Sequence, residues 1–218
     1  MTRDGFPALR VAALAAILSL LAVAADAPAP NAVGQFESHA DVGTVTRPGS
    51  VECDAAKKEY RVTGGGENIW GKADTFHFLF NTTSGDLTLS ADVRFVGEGK
   101  NAHRKACLMA RQSLDADAPY ADVAVHGDGL VSLQFRREKG GVTEEVKAKA
   151  PAKGTASVRL RREGNQFTVW VAEAGKPLEK AGSASVPMAD PVYAGLAVSA
   201  HDPAVTETAV FSSFSIEK

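Results

Sequence analysis

The chain carries a two-residue hydrophobic period along most of its length. It is plainest at Asp74–Phe80, D-T-F-H-F-L-F, where Phe76, Phe78 and Phe80 fall at every second position. In an extended strand that spacing puts three rings on one face. Leu87, Leu89, Ala91, Val93 and Phe95 repeat it, alternating with Thr88, Ser90, Asp92 and Arg94. Val131, Leu133 and Phe135 alternate with Ser132, Gln134 and Arg136, and Phe167, Val169 and Val171 continue the pattern. No helical period appears outside the first 30 residues or so. The pattern therefore predicts antiparallel sheets, each with an apolar face turned to the core.

Turn signals separate these runs: Arg47-Pro48-Gly49-Ser50, Ser84-Gly85-Asp86, Gly127-Asp128-Gly129, Gly140-Gly141 and Glu163-Gly164-Asn165. About eleven to thirteen strands fit between them, the spacing of an all-β, two-sheet antiparallel sandwich. Gly64-Gly65-Gly66 lacks the downstream Lys-Ser/Thr of a phosphate-binding loop, and no helix pattern follows it, so a flexible turn is expected there. At about 1.5–3 kcal/mol per buried large side chain, the inward residues supply a core that folds without a cross-link. No internal repeat or domain break interrupts the pattern.

The first residues are of another kind. Met1–Arg10 holds two arginines and one aspartate, and Val11–Ala25 follows with fifteen uncharged residues. Ala22-Val23-Ala24 and Ala25-Asp26-Ala27 both suit a signal peptidase. Residues 1–27 thus read as a secretory signal peptide, 28–35 as a linker and 36–218 as the sandwich domain. The alternative is an uncleaved anchor, for which the apolar run is short, since a span needs about 20 residues. The expected location is periplasmic or extracellular, with no membrane insertion once the leader is cleaved. A formal net charge of −2 gives no field that favours nucleic acid.

Export bears on Cys53 and Cys107. In an oxidising compartment they either form one disulfide or remain two buried thiols. A bridge would close a loop of about 54 residues and contribute at most about 4 kcal/mol. Neither cysteine has a second Cys or His at metal-ligand spacing.

Three stretches carry a family resemblance: G-G-G-E-N-I-W-G-K-A-D-T-F-H-F from Gly64, S-G-D-L-T-L-S-A-D-V-R-F from Ser84, and K-A-C-L-M-A-R-Q-S-L from Lys105. It continues through Tyr120–Gly129, Gln134-Phe135-Arg136 and Tyr193–His201 and covers essentially all of Phe36–Ile216. The chain resembles a bacterial concanavalin A-like, laminin-G-like jelly-roll family of exported domains. Such domains are found alone or beside Tol-type β-propeller sequences. The resemblance implies a two-sheet jelly roll with one concave face, and no particular reaction. Cys107 departs from the pattern, which has a small residue such as glycine or alanine before L-M-x-R.

With the apolar faces assigned to the core, the opposite faces yield candidate ligand-binding residues. These are His77, Arg111, Tyr120, Asp122, His126, Gln134, Arg136, Trp170 and, at a strand end, His201. On one concave sheet they would suit a sugar: planar polar groups bond hydroxyls, and a ring stacks on the apolar face of a pyranose. The competing reading has them solvating outer faces, and for Trp70 and Trp170 taken singly it is packing. Arg136, Arg137, Arg159, Arg161 and Arg162 likewise read as solvated strand faces.

The leading functional expectation is a non-catalytic module whose partner is a carbohydrate. One alternative is a glycoside hydrolase, for which Asp92 and Asp122 are the paired carboxylates that could converge. Another is a structural domain that contacts a cell-envelope component. No cofactor is expected, apart from a structural calcium that Asp41, Asp54, Asp74 or Asp202 could help to bind.

Overall fold

The structure is a computed structural model that describes Met1, residues 31–148 and residues 154–218. The expected leader, Met1 aside, and the start of the linker lie outside the described residues. Every regular element described is a strand. The chain runs through β1 (Ser38–Val42), β2 (Ser50–Asp54), β3 (Glu59–Gly64), β4 (Ile69–Trp70), β5 (Ala73–Asp74) and β6 (Phe76–Thr83). It continues through β7 (Leu87–Phe95), β8 (Lys105–Arg111), β9 (Tyr120–His126), β10 (Val131–Arg136) and β11 (Glu144–Lys147). It ends with β12 (Ala156–Glu163), β13 (Gln166–Glu173), β14 (Glu179–Ser185), β15 (Val192–Ser199) and β16 (Glu207–Glu217).

Two seven-stranded antiparallel sheets form the sandwich that the period requires. The first has the order β1-β6-β15-β8-β9-β10-β11 and the second β14-β13-β12-β7-β16-β3-β2. Leu79, Leu108, Val123, Leu133 and Leu196 of the first meet Leu89, Val158, Leu160, Val169 and Phe211 of the second in one core. The hairpin β4–β5 stands apart from both sheets. Neither it nor β14 was marked by the hydrophobic period. β4 and β5 are two residues each, and β14 reads E-K-A-G-S-A-S, an edge strand too small and polar to show alternation.

The two sheets differ in how their strands are buried. β7 and β12 alternate between buried and more accessible residues, as strands with one solvated face do. Every residue of β8, β9 and β10 is buried. A second apolar cluster lies on the outer side of the first sheet, formed by Val42, Ile69, Phe76, Phe78, Phe80, Cys107, Met109 and Tyr120. This corrects the expectation for β6. Its three rings do share a face, but it is the outer one, while Leu79 enters the core between the sheets. Alternation shows which side chains go together and not which way they point. Here both faces are covered, so both are apolar.

Gly64-Gly65-Gly66 is a tight crossing and not a loose turn. All three glycines are buried. A Cβ would strike the Val198 carbonyl at Gly64, the Arg47 carbonyl at Gly65 and the Thr75 carbonyl at Gly66, where φ is also +99°. Only glycine lets the chain pass that close on its way from β3 to the β4–β5 hairpin.

Cys53 and Cys107 are free thiols. Cys53 is exposed on β2 in the second sheet, and Cys107 lies in the outer cluster of the first. Their placement on different sheets, with Cys107 facing away from the second, keeps them from bridging.

Candidate functional site

Cross-strand register sets out the outer face of the first sheet in rows. Arg111, Tyr120 and Arg136 form one row across β8, β9 and β10. Met109, Asp122, Gln134 and Glu145 form the next, and Lys105 lies opposite His126 at the far end. Arg111, Tyr120, Asp122, His126, Gln134 and Arg136 thus share one face, but that face has a sealed end and an open end.

At the sealed end the β4–β5 hairpin and the segment between β8 and β9 close over the sheet. The Asp74 N–H donates to the Ala116 carbonyl at 2.8 Å, and the Thr143 N–H to the Gly71 carbonyl at 2.8 Å. Asp74 carries the cover. Its two oxygens accept from Arg136 Nη1 at 2.8 Å and Nη2 at 2.7 Å, and Arg111 Nη1 stands 3.6 Å away. Arg136 also donates to the carbonyls of Gly71, Ala118 and Gly141. Arg111 donates to those of Ser113 and Asp115, each at 2.6 Å. The Tyr120 hydroxyl meets Thr143 Oγ1 at 3.1 Å. Arg111, Tyr120 and Arg136 are fully buried. They were expected to line a groove, and the structure has them holding its cover instead. A guanidinium with this many carbonyl partners leaves little for a solute.

At the open end lies a hollow of about 230 Å³ bounded by Asn68, Trp70, His103, Lys105, His126, Gln134, Glu145 and His201, among others. Asn68, Trp70 and His201 also border a neighbouring depression that extends to Asp202 and Pro203. Trp70 is 38% exposed, so the hairpin presents its indole to solvent. Packing was the expected role for this ring, and its place on a two-residue strand outside either sheet is why it escapes burial.

The polar groups of the hollow are partly unsatisfied. Gln134 donates through Nε2 to Ser132 Oγ at 3.2 Å and Glu145 Oε1 at 3.2 Å, while its Oε1 has no partner among the described residues. The His201 Nδ1 is also unpartnered. His126 donates from Nδ1 to the Leu130 carbonyl at 3.1 Å, which fixes its tautomer. Burial lowers its pKa to about 4, helped by the Lys105 charge. Beneath the hollow, Asp122 is fully buried, and neither carboxylate oxygen has a hydrogen-bond partner among the described residues. Burial raises it to about 8, against the opposing pull of Lys105.

The remaining candidates lie elsewhere. His77 shares the side of Leu79, not the outer face. It donates from Nδ1 to Asp41 Oδ1 at 2.7 Å and meets His39 Nδ1 through Nε2 at 3.0 Å. Burial lowers its pKa, and Asp41 opposes the shift. Trp170 is on β13 of the second sheet, opposite Arg159, and belongs to the other side of the sandwich. Asp92 is on β7 of that sheet, bonded to Ser157. Asp92 and Asp122 therefore face outward from opposite layers. Packed sheets lie about 10 Å apart, so the two carboxylates cannot flank one glycosidic bond.

The four aspartates weighed for calcium are engaged separately. Asp41 accepts from Gly49 N–H, Asp54 from Ala56 and Lys57 N–H, Asp202 from Ala204 N–H, and Asp74 from Arg136. Among the described residues no three His, Cys, Asp or Glu side chains gather to hold a metal ion.

Sequence reasoning missed Asn68, His103, Lys105 and Glu145. Lys105 had a signal, since it continues the parity of Cys107, Met109 and Arg111 by one step. Asn68 and His103 sit in connections, where no periodicity points to a shared site.

No family model matches the chain, and no curated protein does. The fold does have solved counterparts. A functionally unknown protein from Saccharomyces cerevisiae superposes with a TM-score of 0.60 at 19% identity, over 77% of this chain and 91% of that one. The carbohydrate-binding module CBM66 from Bacillus subtilis gives 0.53 at 18% identity, over 80% and 94%. The GH43 BlXynB protein from Bacillus licheniformis gives 0.57 at 12% identity, over 72% of this chain but 32% of that one. At these identities the likeness is one of fold. This antiparallel two-sheet sandwich recurs both as nearly the whole of a small protein and as a third of a larger one.

Proposed function

We propose that this chain is an exported, non-catalytic β-sandwich module of the concanavalin A-like, jelly-roll kind, and that it binds carbohydrate in the hollow beside Trp70. One observation carries the reading: a solvent-exposed indole borders the same hollow as an unpartnered amide oxygen on a buried glutamine. An aromatic face accepts the apolar C–H side of a pyranose, and a desolvated amide oxygen recovers its missing bond from a sugar hydroxyl. The fold likeness to a carbohydrate-binding module and to a GH43 protein supports the same reading.

A glycan array followed by calorimetry tests it. The expected result is saccharide binding that Trp70→Ala weakens at least tenfold without unfolding the domain. If no saccharide binds and the protein captures an envelope protein instead, the carbohydrate reading fails. Export is tested separately by the mass of the secreted chain, which should begin after Ala24 or Ala27. A cell-retained chain with its leader intact would contradict it.

A further inference from the structure

Lys105 is 3% exposed, yet its ammonium faces no counter-charge at close range. Its Nζ donates to Asn68 Oδ1 at 2.9 Å and to the Ile69 carbonyl at 2.8 Å, both neutral acceptors. An ammonium has three donors, so one remains for the hollow that Lys105 borders. Among the described residues no carboxylate comes within ion-pair distance of it.

The acids nearby are committed elsewhere. Asp74 is clamped by Arg136, with Arg111 alongside. Glu145 accepts from Gln134 and stands 3.8 Å from Lys147. Asp122 lies on the same face outside ion-pair distance of Lys105, and burial pushes its carboxyl toward the neutral form. The deep part of this face thus holds Lys105, Arg111 and Arg136, and its ion-paired carboxylate, Asp74, is held by the two arginines and not by Lys105. A buried charge without a partner is unfavourable, and an incoming anion relieves it.

The geometry also limits the anion. Lys105 Nζ is 5.3 Å from the centre of the Trp70 ring, so a sugar held at the indole keeps a ring substituent within reach of the ammonium.

We propose that the hollow takes an acidic sugar, a uronic-acid residue whose carboxylate accepts the free N–H of Lys105. This rests on the carbohydrate-binding reading above and narrows its ligand to one chemical class.

The test is calorimetric titration of the full chain with polygalacturonate, alginate and hyaluronan, each beside its carboxyl-reduced form. At least one acidic polymer should bind at least about tenfold more tightly than its reduced partner, with a gap that shrinks as salt rises. Lys105→Met should close that gap while circular dichroism and the melting temperature stay as in the native chain. Should that variant not fold, Asn68→Asp supplies a carboxylate to Lys105 from within and should narrow the gap between the acidic and reduced forms. Equal binding of acidic and reduced forms overturns the acidic-sugar proposal and leaves carbohydrate binding standing. Failure of all three acidic polymers overturns it as well, while neutral glycans on the array decide the broader reading.

Discussion

The two outward faces of the sandwich start from the same alternation and end in different surroundings. On the second sheet, Arg161 pairs with Glu163 at 2.8 Å, with both side chains about half exposed, and Arg159 donates from Nε to Ser90 Oγ at 3.1 Å. On the first sheet, Arg111 and Arg136 are fully buried beneath the β4–β5 hairpin and bonded to Asp74 and a ring of carbonyls. The residue type is the same, and the difference lies in whether another part of the chain covers it. A solvated pair contributes about 0–1 kcal/mol, whereas breaking a buried one costs about 3–5 kcal/mol. Arginine on a strand is therefore a poor guide to function until its cover is known.

The largest effect should come from Asp74→Ala, which leaves two buried guanidinium groups without their carboxylate. Denaturant unfolding should show a loss of about 3–5 kcal/mol, against less than about 0.5 kcal/mol for Arg159→Ala on the open face. Equal losses would erase the contrast between the faces. Phe78→Ala should follow at about 3 kcal/mol, because its ring fills the outer cluster. A small loss there would mean that the cover is loosely packed.

Trp70→Ala should weaken saccharide binding at least tenfold, about 1.4 kcal/mol, with the melting temperature nearly unchanged. Trp170→Ala, on the other side, should leave that binding as it was. If the two variants behave in reverse, the binding face has been misassigned.

A last comparison is one of pH. The native state holds the Asp122 proton up to about pH 8, while the unfolded chain releases it near pH 4. The native state then binds more protons across that window, so stability falls as pH rises through it. His126, lowered to about 4, acts oppositely below pH 6.5, where the unfolded chain takes up the proton first. Between pH 6.5 and 8 the Asp122 contribution is unopposed by His126. Asp122→Asn should flatten the melting temperature across that interval, and an unchanged slope would show that Asp122 does not titrate there.

Much of the fold could be read from the chain. Leu87–Phe95 and Val131–Arg136 show their inner and outer residues directly, and they do so because a pleated strand alternates. The same alternation put Arg111, Tyr120, Asp122, Gln134 and Arg136 on a common side. It could not separate the three of these that hold the cover, or Asp122 beneath the hollow, from Gln134, which borders it. Nor could it exclude His77 and Trp170, whose local patterns look like those of the other candidates. The hollow itself joins Asn68, Lys105, Gln134 and His201, which meet only after the sheet has assembled.

By itself the sequence determined that the chain makes antiparallel strands with two distinguishable faces, because side-chain direction in a strand is a local property repeating every two residues. The tertiary structure alone decided which outer face is roofed, which arginines are structural and where an indole meets the solvent. Those outcomes depend on contacts such as Asp74 to Arg136, made across 62 positions of chain, and no local pattern encodes a partner that far away.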